Sequence, residues 1–109
     1  MVMHNPPHPG SILKEDVLPA LNLQVQDAAE QLGITRVQFS RFINGHSRVT
    51  PDLAIRLSKW IPAPTASMWL NMQAEYDLWQ AMHSGKKFNV VAFKVKKLRR
   101  QKEHDLEFA

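Results

Sequence analysis

The stretch Val25-Gln-Asp-Ala-Ala-Glu-Gln-Leu-Gly33-Ile-Thr-Arg-Val-Gln-Phe-Ser-Arg-Phe-Ile-Asn-Gly45 decides the fold of this chain. It predicts two short helices that cross at a steep angle and are joined by a turn of about three to four residues. Ala29 is the small residue needed where the two helices touch, and Gly33 tolerates a positive φ in the turn. Thr35 is a typical N-cap for the second helix, and Gly45 is a typical stop. The pattern is that of a helix-turn-helix.

The second of these helices has two different faces. At about 100° per residue, Phe39, Phe42 and Ile43 fall within an arc of roughly 100° and form a candidate core face. The opposite side is polar and basic, and it holds Arg36 at its edge with Val37, Ser40, Arg41 and Asn44. A helix with such a face can enter the major groove of DNA, which is about 12 Å wide. An ordinary amphipathic helix pair in an all-α domain is the alternative interpretation.

Motif position predicts which residues contact DNA. We expect base reading first from Arg36, Val37 and Arg41, because arginine can bond guanine O6 and N7 in parallel and valine can contact a thymine methyl. Further candidates, for phosphate or base, are Thr35, Gln38 and Ser40. Backbone phosphate contacts are expected from Gln26, Asn44, His46 and Arg48.

The rest of the chain also carries mainly helical signals. A first helix is predicted over Gly10 to Leu18, where Pro19 bends or ends it. A fourth helix begins after its cap Thr50, and a fifth runs from its cap Thr65 to about His83. The prediction is an all-α, five-helix domain over 10–85, with an N-terminal arm over 1–9 and a basic C-terminal tail over 86–109. The short apolar run that begins at Phe88 fits either a strand or a helix start, so the structure of the tail stays open.

The fifth helix is apolar on almost every side. A helix of this kind must be covered on every side, and a small domain can cover only one of them. We therefore expect a dimer interface with Trp69, Tyr76 and Trp79 as its aromatic anchors. The alternative is a central core helix, and both descriptions can hold if Leu70 and Leu78 point inward.

Composition excludes several classes of protein. The chain has 109 residues and no cysteine, so it suits one domain without disulfides, thiolate metal sites or a cysteine nucleophile. It has no phosphate-binding glycine loop and no metal-type histidine pair on a helix. We therefore expect neither an enzyme nor a cofactor. No apolar stretch approaches the about 20 residues that span a bilayer, and the polar start is not a signal peptide, so a cytoplasmic protein is expected.

The net charge of +4 is unevenly distributed. Residues 1–85 hold 6 Lys/Arg and 7 Asp/Glu, whereas residues 86–109 hold 8 and 3. Residues 33–60 nevertheless carry five basic side chains against Asp52 alone, in the segment where the DNA face is predicted. The basic tail is either solvated or binds the phosphates of flanking DNA. Contact with a partner protein that is itself basic is less expected, because the like charges of the two would repel each other.

Three stretches carry a family resemblance. They are His8-Pro9-Gly10-Ser-Ile-Leu-Lys-Glu-Asp, Phe39-Ser-Arg-Phe-Ile-Asn-Gly and Met68-Trp69-Leu-Asn-Met-Gln-Ala-Glu-Tyr76-Asp-Leu-Trp79. Through them residues 8–82 resemble the HigA/VapI type of antitoxin, within the phage-repressor and Cro-like helix-turn-helix family. The third stretch is the most specific, because generic repressors lack it.

The resemblance implies five helices, a homodimer and autoregulation by binding to a palindromic operator. It also implies neutralisation of a RelE/HigB-like toxin that cleaves mRNA. The segment His8-Pro9-Gly10 and the first helix lie outside the DNA-reading unit, and we expect them to leave a second face free for such a partner. A stand-alone transcriptional regulator without a toxin is the alternative function.

Overall fold

A computed structural model describes residues 5–94. Within that part of the chain the architecture is five helices and no strand, which confirms the all-α, five-helix prediction. Helix α1 consists of three consecutive segments, an α-helical turn Pro9–Ile12, a π-helical turn Leu13–Val17 and an α-helical turn Leu18–Leu21. The others are α2 (Val25–Leu32), α3 (Arg36–Ile43), α4 (Pro51–Trp60) and α5 (Ala66–Met82).

Helix α1 is longer at both ends than the sequence predicts. It starts at Pro9, with His8 as its N-cap, so both residues belong to the folded domain and not to the arm over 1–9. Pro19 does not end it. The π-helical turn in front of Pro19 replaces i→i+4 bonds by wider ones, and Leu18 N–H donates to the carbonyl of Leu13. The missing N–H of the proline is thereby accommodated, and the helix continues to Leu21.

Threonine caps begin α3, α4 and α5 as predicted. Thr35, Thr50 and Thr65 each accept a hydrogen bond from the backbone N–H three residues further along the chain. Gly33 adopts the predicted left-handed conformation in the turn, with a φ of 76°. These local signals fix where α3, α4 and α5 begin.

The core lies where α1, α3 and α5 meet the α2–α4 pair. Its largest fully buried side chains are Trp69, Phe39, Phe42, Leu13, Leu57 and Pro9. Helix α2 packs on α3 and α4, while α5 packs on α4 and on the start of α1. The apolar face predicted for α3 is thus confirmed as its buried face.

Two predictions for α5 are corrected by this packing. Trp69, predicted at the dimer interface, is 0% exposed within a single chain, so it is a core residue and cannot anchor a second subunit. Leu78, which was expected to point inward if α5 is both a core helix and an interface helix, is 50% exposed. Leu70 packs against the core as expected. Helix α5 is therefore a core helix along Trp69 and Gln73 and leaves other apolar side chains in solvent.

Arg56 has a structural role that the sequence did not indicate. Its Nη1 donates to the carbonyl oxygens of Leu32 at 2.9 Å and Gly33 at 3.3 Å, and its Nε donates to Asp52 at 2.8 Å. The side chain joins the C-terminal end of α2 to α4 and so holds the turn of the helix-turn-helix in place.

The chain beyond α5 forms neither of the expected structures as far as it is described. Residues 86–94 are neither helix nor strand, and Phe88, Val90, Val91 and Phe93 are exposed. The remaining predictions for the tail fall on residues 95–109, which lie outside the described residues, as do residues 1–4. Among residues 5–94, no helix combines the length and hydropathy that crossing a membrane requires.

Candidate nucleic-acid interface

The outer face of α3 presents two of the three side chains predicted as first readers. Val37 is 66% exposed, and Arg36 is exposed in the first turn, where it makes no hydrogen bond or ion pair with any of residues 5–94. On the other side, Phe39, Phe42 and Ile43 are buried. A rigid helix therefore presents a free guanidinium beside an exposed methyl pair, and both groups can contact base edges in a major groove.

Thr35 and Gln38 are engaged with each other at the start of α3. Thr35 Oγ1 accepts from the backbone N–H of Gln38 at 3.0 Å, and Gln38 Oε1 accepts from the backbone N–H of Thr35 at 2.9 Å. This capping box orients the helix start. The Nε2 donors of Gln38 stay available for DNA, whereas the first role of Thr35 is to position the helix.

Arg41 and Asn44 close the other end of α3. The Nη2 of Arg41 donates to the carbonyl of His46 at 2.9 Å, and the N–H of His46 donates back to the carbonyl of Arg41 at 2.8 Å. Asn44 Nδ2 donates to the carbonyl of Ser40 at 2.8 Å, and Asn44 Oδ1 accepts from Lys14 Nζ at 2.7 Å. These bonds therefore hold the loop that follows α3, and only the donors of Arg41 that the loop does not use remain free for a DNA contact.

Arg48 is held by helix α5. It forms an ion pair with Asp77, whose other oxygen accepts from Gln73 Nε2 at 3.0 Å. Gln73 is only 2% exposed, and its Oε1 accepts from the buried N–H of Val49 at 2.8 Å. Arg48, which is predicted to contact phosphate, is thus one end of a hydrogen-bonded chain that joins the loop after α3 to α5.

Sequence reasoning missed Gln73 and Asp77. The available signal was spacing, because Trp69, Gln73 and Asp77 recur every four residues and so lie along one side of α5. Two polar side chains on the same side of a helix as a buried tryptophan are expected to have hydrogen-bond partners within the domain. The sequence does not say which residues those partners are.

The remaining predicted residues lie at the edges of the surface. Gln26 is in the first turn of α2, where its Nε2 donates to Glu30 at 2.9 Å and where the N-cap Gln24 provides no side-chain bond to the free N–H groups.

The structure also brings three predicted residues to one cleft between α3 and the start of α4, namely Gln38, Arg41 and Arg48. Arg36 and Val37 do not line that cleft, so the predicted set divides into an outer reading face and a loop-side basic cleft.

His8 ties the N-terminal segment to both sides of this surface. Its Nδ1 accepts from the N–H of Gly10 at 2.9 Å, and its ring packs edge-on against Phe42 of α3 and Tyr76 of α5, with centroid distances of 5.7 and 5.0 Å. The segment is packed under the end of α3. His8, Pro9 and Gly10 thus belong to the packed domain, whereas Glu15 and Asp16 of α1 are exposed, so the expected second face stays a prediction.

The protonation of His8 opposes its role as a cap. Burial lowers the pKa of His8 below its ordinary value of 6.5, with a smaller lowering by His46 and a partial offset by a hydrogen bond with the backbone of Ser47 and by the Asp77 carboxylate. The neutral ring is the form that can accept from Gly10, because a protonated Nδ1 has no lone pair to offer.

The stability of the domain is therefore expected to fall at mildly acidic pH. Because the folded-state pKa is lowered, the contribution of His8 is complete above pH 6.5 and is lost as the pH falls through the folded-state pKa. The control is His8→Asn, which keeps a capping oxygen but does not titrate. Urea unfolding at pH 7.5 and pH 5 should give a larger loss for the wild type than for His8→Asn. Equal losses would contradict this role of His8.

Residues 5–94 form five helices, and Arg36 is exposed on the outer face of α3, the second helix of the helix-turn-helix. This arrangement defines a helix-turn-helix DNA-binding protein. A family model described as helix-turn-helix matches residues 13–59. Virulence-associated protein A of Dichelobacter nodosus is 41% identical over 76 residues, which is 70% of this chain and 74% of that protein. The chain belongs to the HigA/VapI-type antitoxin family within the phage-repressor and Cro-like helix-turn-helix proteins.

Solved structures agree with this assignment. An addiction module antidote protein of a HigA family from Coxiella burnetii superposes with a TM-score of 0.71 at 32% identity, over 83% of this chain and 100% of that one. A Pseudomonas aeruginosa protein in complex with its 18-bp operator DNA superposes with a TM-score of 0.70 at 27% identity, over 78% of this chain and 89% of that one.

Proposed function

We propose that this chain is a cytoplasmic antitoxin that binds its own operator as a dimer and neutralises a RelE/HigB-like ribonuclease. The observation that carries the DNA-binding half is the outer face of α3, where Arg36 and Val37 are exposed on a helix that is capped at one end and packed on the core. The toxin half is supported by the family to which the chain belongs.

Different parts of the surface make different contacts with DNA in this scheme. Arg36 and Val37 read bases, while Arg41 contributes its remaining donors at the end of the helix. Gln26, Asn44, His46 and Arg48 surround them at positions suited to phosphate contacts. Two such units related by a two-fold axis require a palindromic operator with half-sites about 10 bp apart.

For the dimer, the proposal retains two of the three predicted aromatic residues. Tyr76 and Trp79 are half-buried within one chain, and the Trp79 ring stacks on His83 with a centroid distance of 3.8 Å. Met68 and Leu78 add apolar surface on α5, at 53% and 50% exposure. An apolar surface of this kind along a helix is suited to burial against a second copy of the same helix.

Trp79→Ala is expected to weaken or abolish the dimer, because the indole is the largest side chain of α5 that remains accessible to a partner. Sedimentation velocity at tens of micromolar is the measurement. Gln80→Ala, at the next and exposed position, is the matched control and should sediment as the wild type does. A wild-type chain that stays monomeric at this concentration would contradict the proposed assembly.

Neutralisation of a toxin distinguishes the two candidate functions. An antitoxin is expected to bind its own promoter and to restore growth of cells that express the gene next to its own. A stand-alone regulator, the alternative, binds its promoter but has no such neighbour to neutralise. Absence of promoter binding contradicts both functions, whereas binding without growth rescue favours the regulator.

A further inference from the structure

The ion pair between Arg48 and Asp77 places a carboxylate on a side chain that the proposed function assigns to DNA phosphate. The two side chains are 59% and 45% exposed, so the pair lies on the surface beside the basic cleft. Carboxylate and phosphate oxygens accept from a guanidinium in the same way, and Arg48 donates to Asp77 through Nη2, so a phosphate that takes the same N–H displaces the carboxylate. A phosphate contact through the N–H that Asp77 holds therefore requires that Arg48 leave Asp77.

We propose that Asp77 is an intramolecular competitor of DNA phosphate for Arg48, so that the wild-type chain binds DNA less tightly than its basic surface permits. This inference rests on the proposed DNA binding. Asp77 is suited to the task because its carboxylate is held in position by Gln73, which is itself buried and bonded to Val49. The competitor thus stays beside the DNA-facing loop when Arg48 moves away.

The exchange is possible because the pair is exposed. Ion pairs in solvent contribute little to stability, so a phosphate in a favourable position can replace the carboxylate. After the exchange, Asp77 is an unpaired negative charge near the DNA backbone and attracts a cation from solution. That uptake offsets the cation that Arg48 releases from the DNA, and it lowers the salt dependence of binding.

Asp77→Asn is expected to raise affinity for the chain's own promoter by about two- to fivefold, the equivalent of one exposed ion pair. The slope of log K against log salt should steepen by up to about one, because no cation is then taken up at position 77. Asparagine keeps an oxygen that can accept from Gln73, so the loop stays joined to α5. Thermal unfolding verifies this, and Asp77→Ala replaces the variant if asparagine impairs folding.

A double-mutant cycle with Arg48→Ala separates competition from general electrostatics. In the competition scheme, Asp77→Asn raises affinity only when Arg48 is present. Glu75→Gln, an exposed position of the same helix, is the control for removal of one negative charge. Equal effects of Asp77→Asn with and without Arg48, or equal effects of Asp77→Asn and Glu75→Gln, would overturn the proposal.

Two further results would also overturn it. Weaker binding by folded Asp77→Asn would mean that Asp77 orients Arg48 for DNA instead of withholding it. Unchanged binding by Arg48→Ala would mean that Arg48 does not contact DNA. In both cases the wild-type chain still binds its promoter, and the proposed function stands. A wild-type chain that binds no promoter DNA contradicts the proposed function, and the role of Asp77 falls with it.

Discussion

Replacing Gly10 by alanine is expected to destabilise the domain by roughly 3 kcal/mol or more. A Cβ at this position would lie 2.0 Å from the carbonyl oxygen of Phe42 and 2.9 Å from the Cα of Ile43. Both are backbone atoms of α3, so no flexible side chain can move aside. Helix α1 and the end of α3 would have to separate, and the buried ring of Phe42 would lose its packing.

The sign of this effect is opposite to the usual one. Gly10 lies inside α1, where alanine is ordinarily favoured over glycine by about 0.5–1 kcal/mol. Gly85→Ala is the control, because a Cβ there meets nothing within 4 Å and the change costs only the left-handed backbone at a φ of 83°, about 1–2 kcal/mol. Urea unfolding measures both variants. A Gly10→Ala protein as stable as the wild type would mean that α1 and α3 do not cross this closely.

The parts of the fold that the sequence predicted correctly are those set by local chemistry. Threonine at Thr35, Thr50 and Thr65 caps the helix that follows it, and Gly33 takes the turn conformation that other residues adopt at a cost. These signals act over three or four residues. They therefore do not depend on contacts with distant parts of the chain.

The parts that were wrong depend on contacts between distant residues. An apolar residue at every third or fourth position predicts a face, but α5 is apolar all round, so its pattern does not say that Trp69 faces inward and Leu78 outward. Pro19 was expected to bend or end α1, and the π-helical turn that lets the helix continue through it has no simple sequence signal.

The candidate site shows the same division. The position of Arg36 on the outer face followed from helix periodicity alone, and the structure agrees with that position. The bond from Arg41 to the His46 carbonyl and the pair between Arg48 and Asp77 depend on where a loop and a separate helix lie. Sequence spacing could indicate a basic surface, but not which of its arginines is already engaged.

The double variant Arg36→Ala with Arg41→Ala is expected to lose operator binding and to keep growth rescue. Each arginine that contacts a base or phosphate contributes about 1–3 kcal/mol, so the combined loss of affinity for the operator ranges from roughly thirtyfold to about ten-thousandfold. Neither guanidinium belongs to α5 or to the buried core. Dimerisation and contact with a toxin should therefore survive.

Arg36→Ala alone is the cleaner of the two changes, because Arg36 has no bond to lose within residues 5–94, whereas Arg41 also supports the His46 carbonyl. Lys59→Ala, an exposed position of α4, is the matched control for loss of one positive charge and should leave both activities near wild type. Promoter binding is followed by gel shift, and rescue by growth of cells that express the neighbouring gene. If Arg36→Ala bound the operator as tightly as Lys59→Ala, α3 would not be the reading helix. If the double variant lost rescue together with binding while remaining folded, the two activities would share one surface, and the separation proposed for this chain would be wrong.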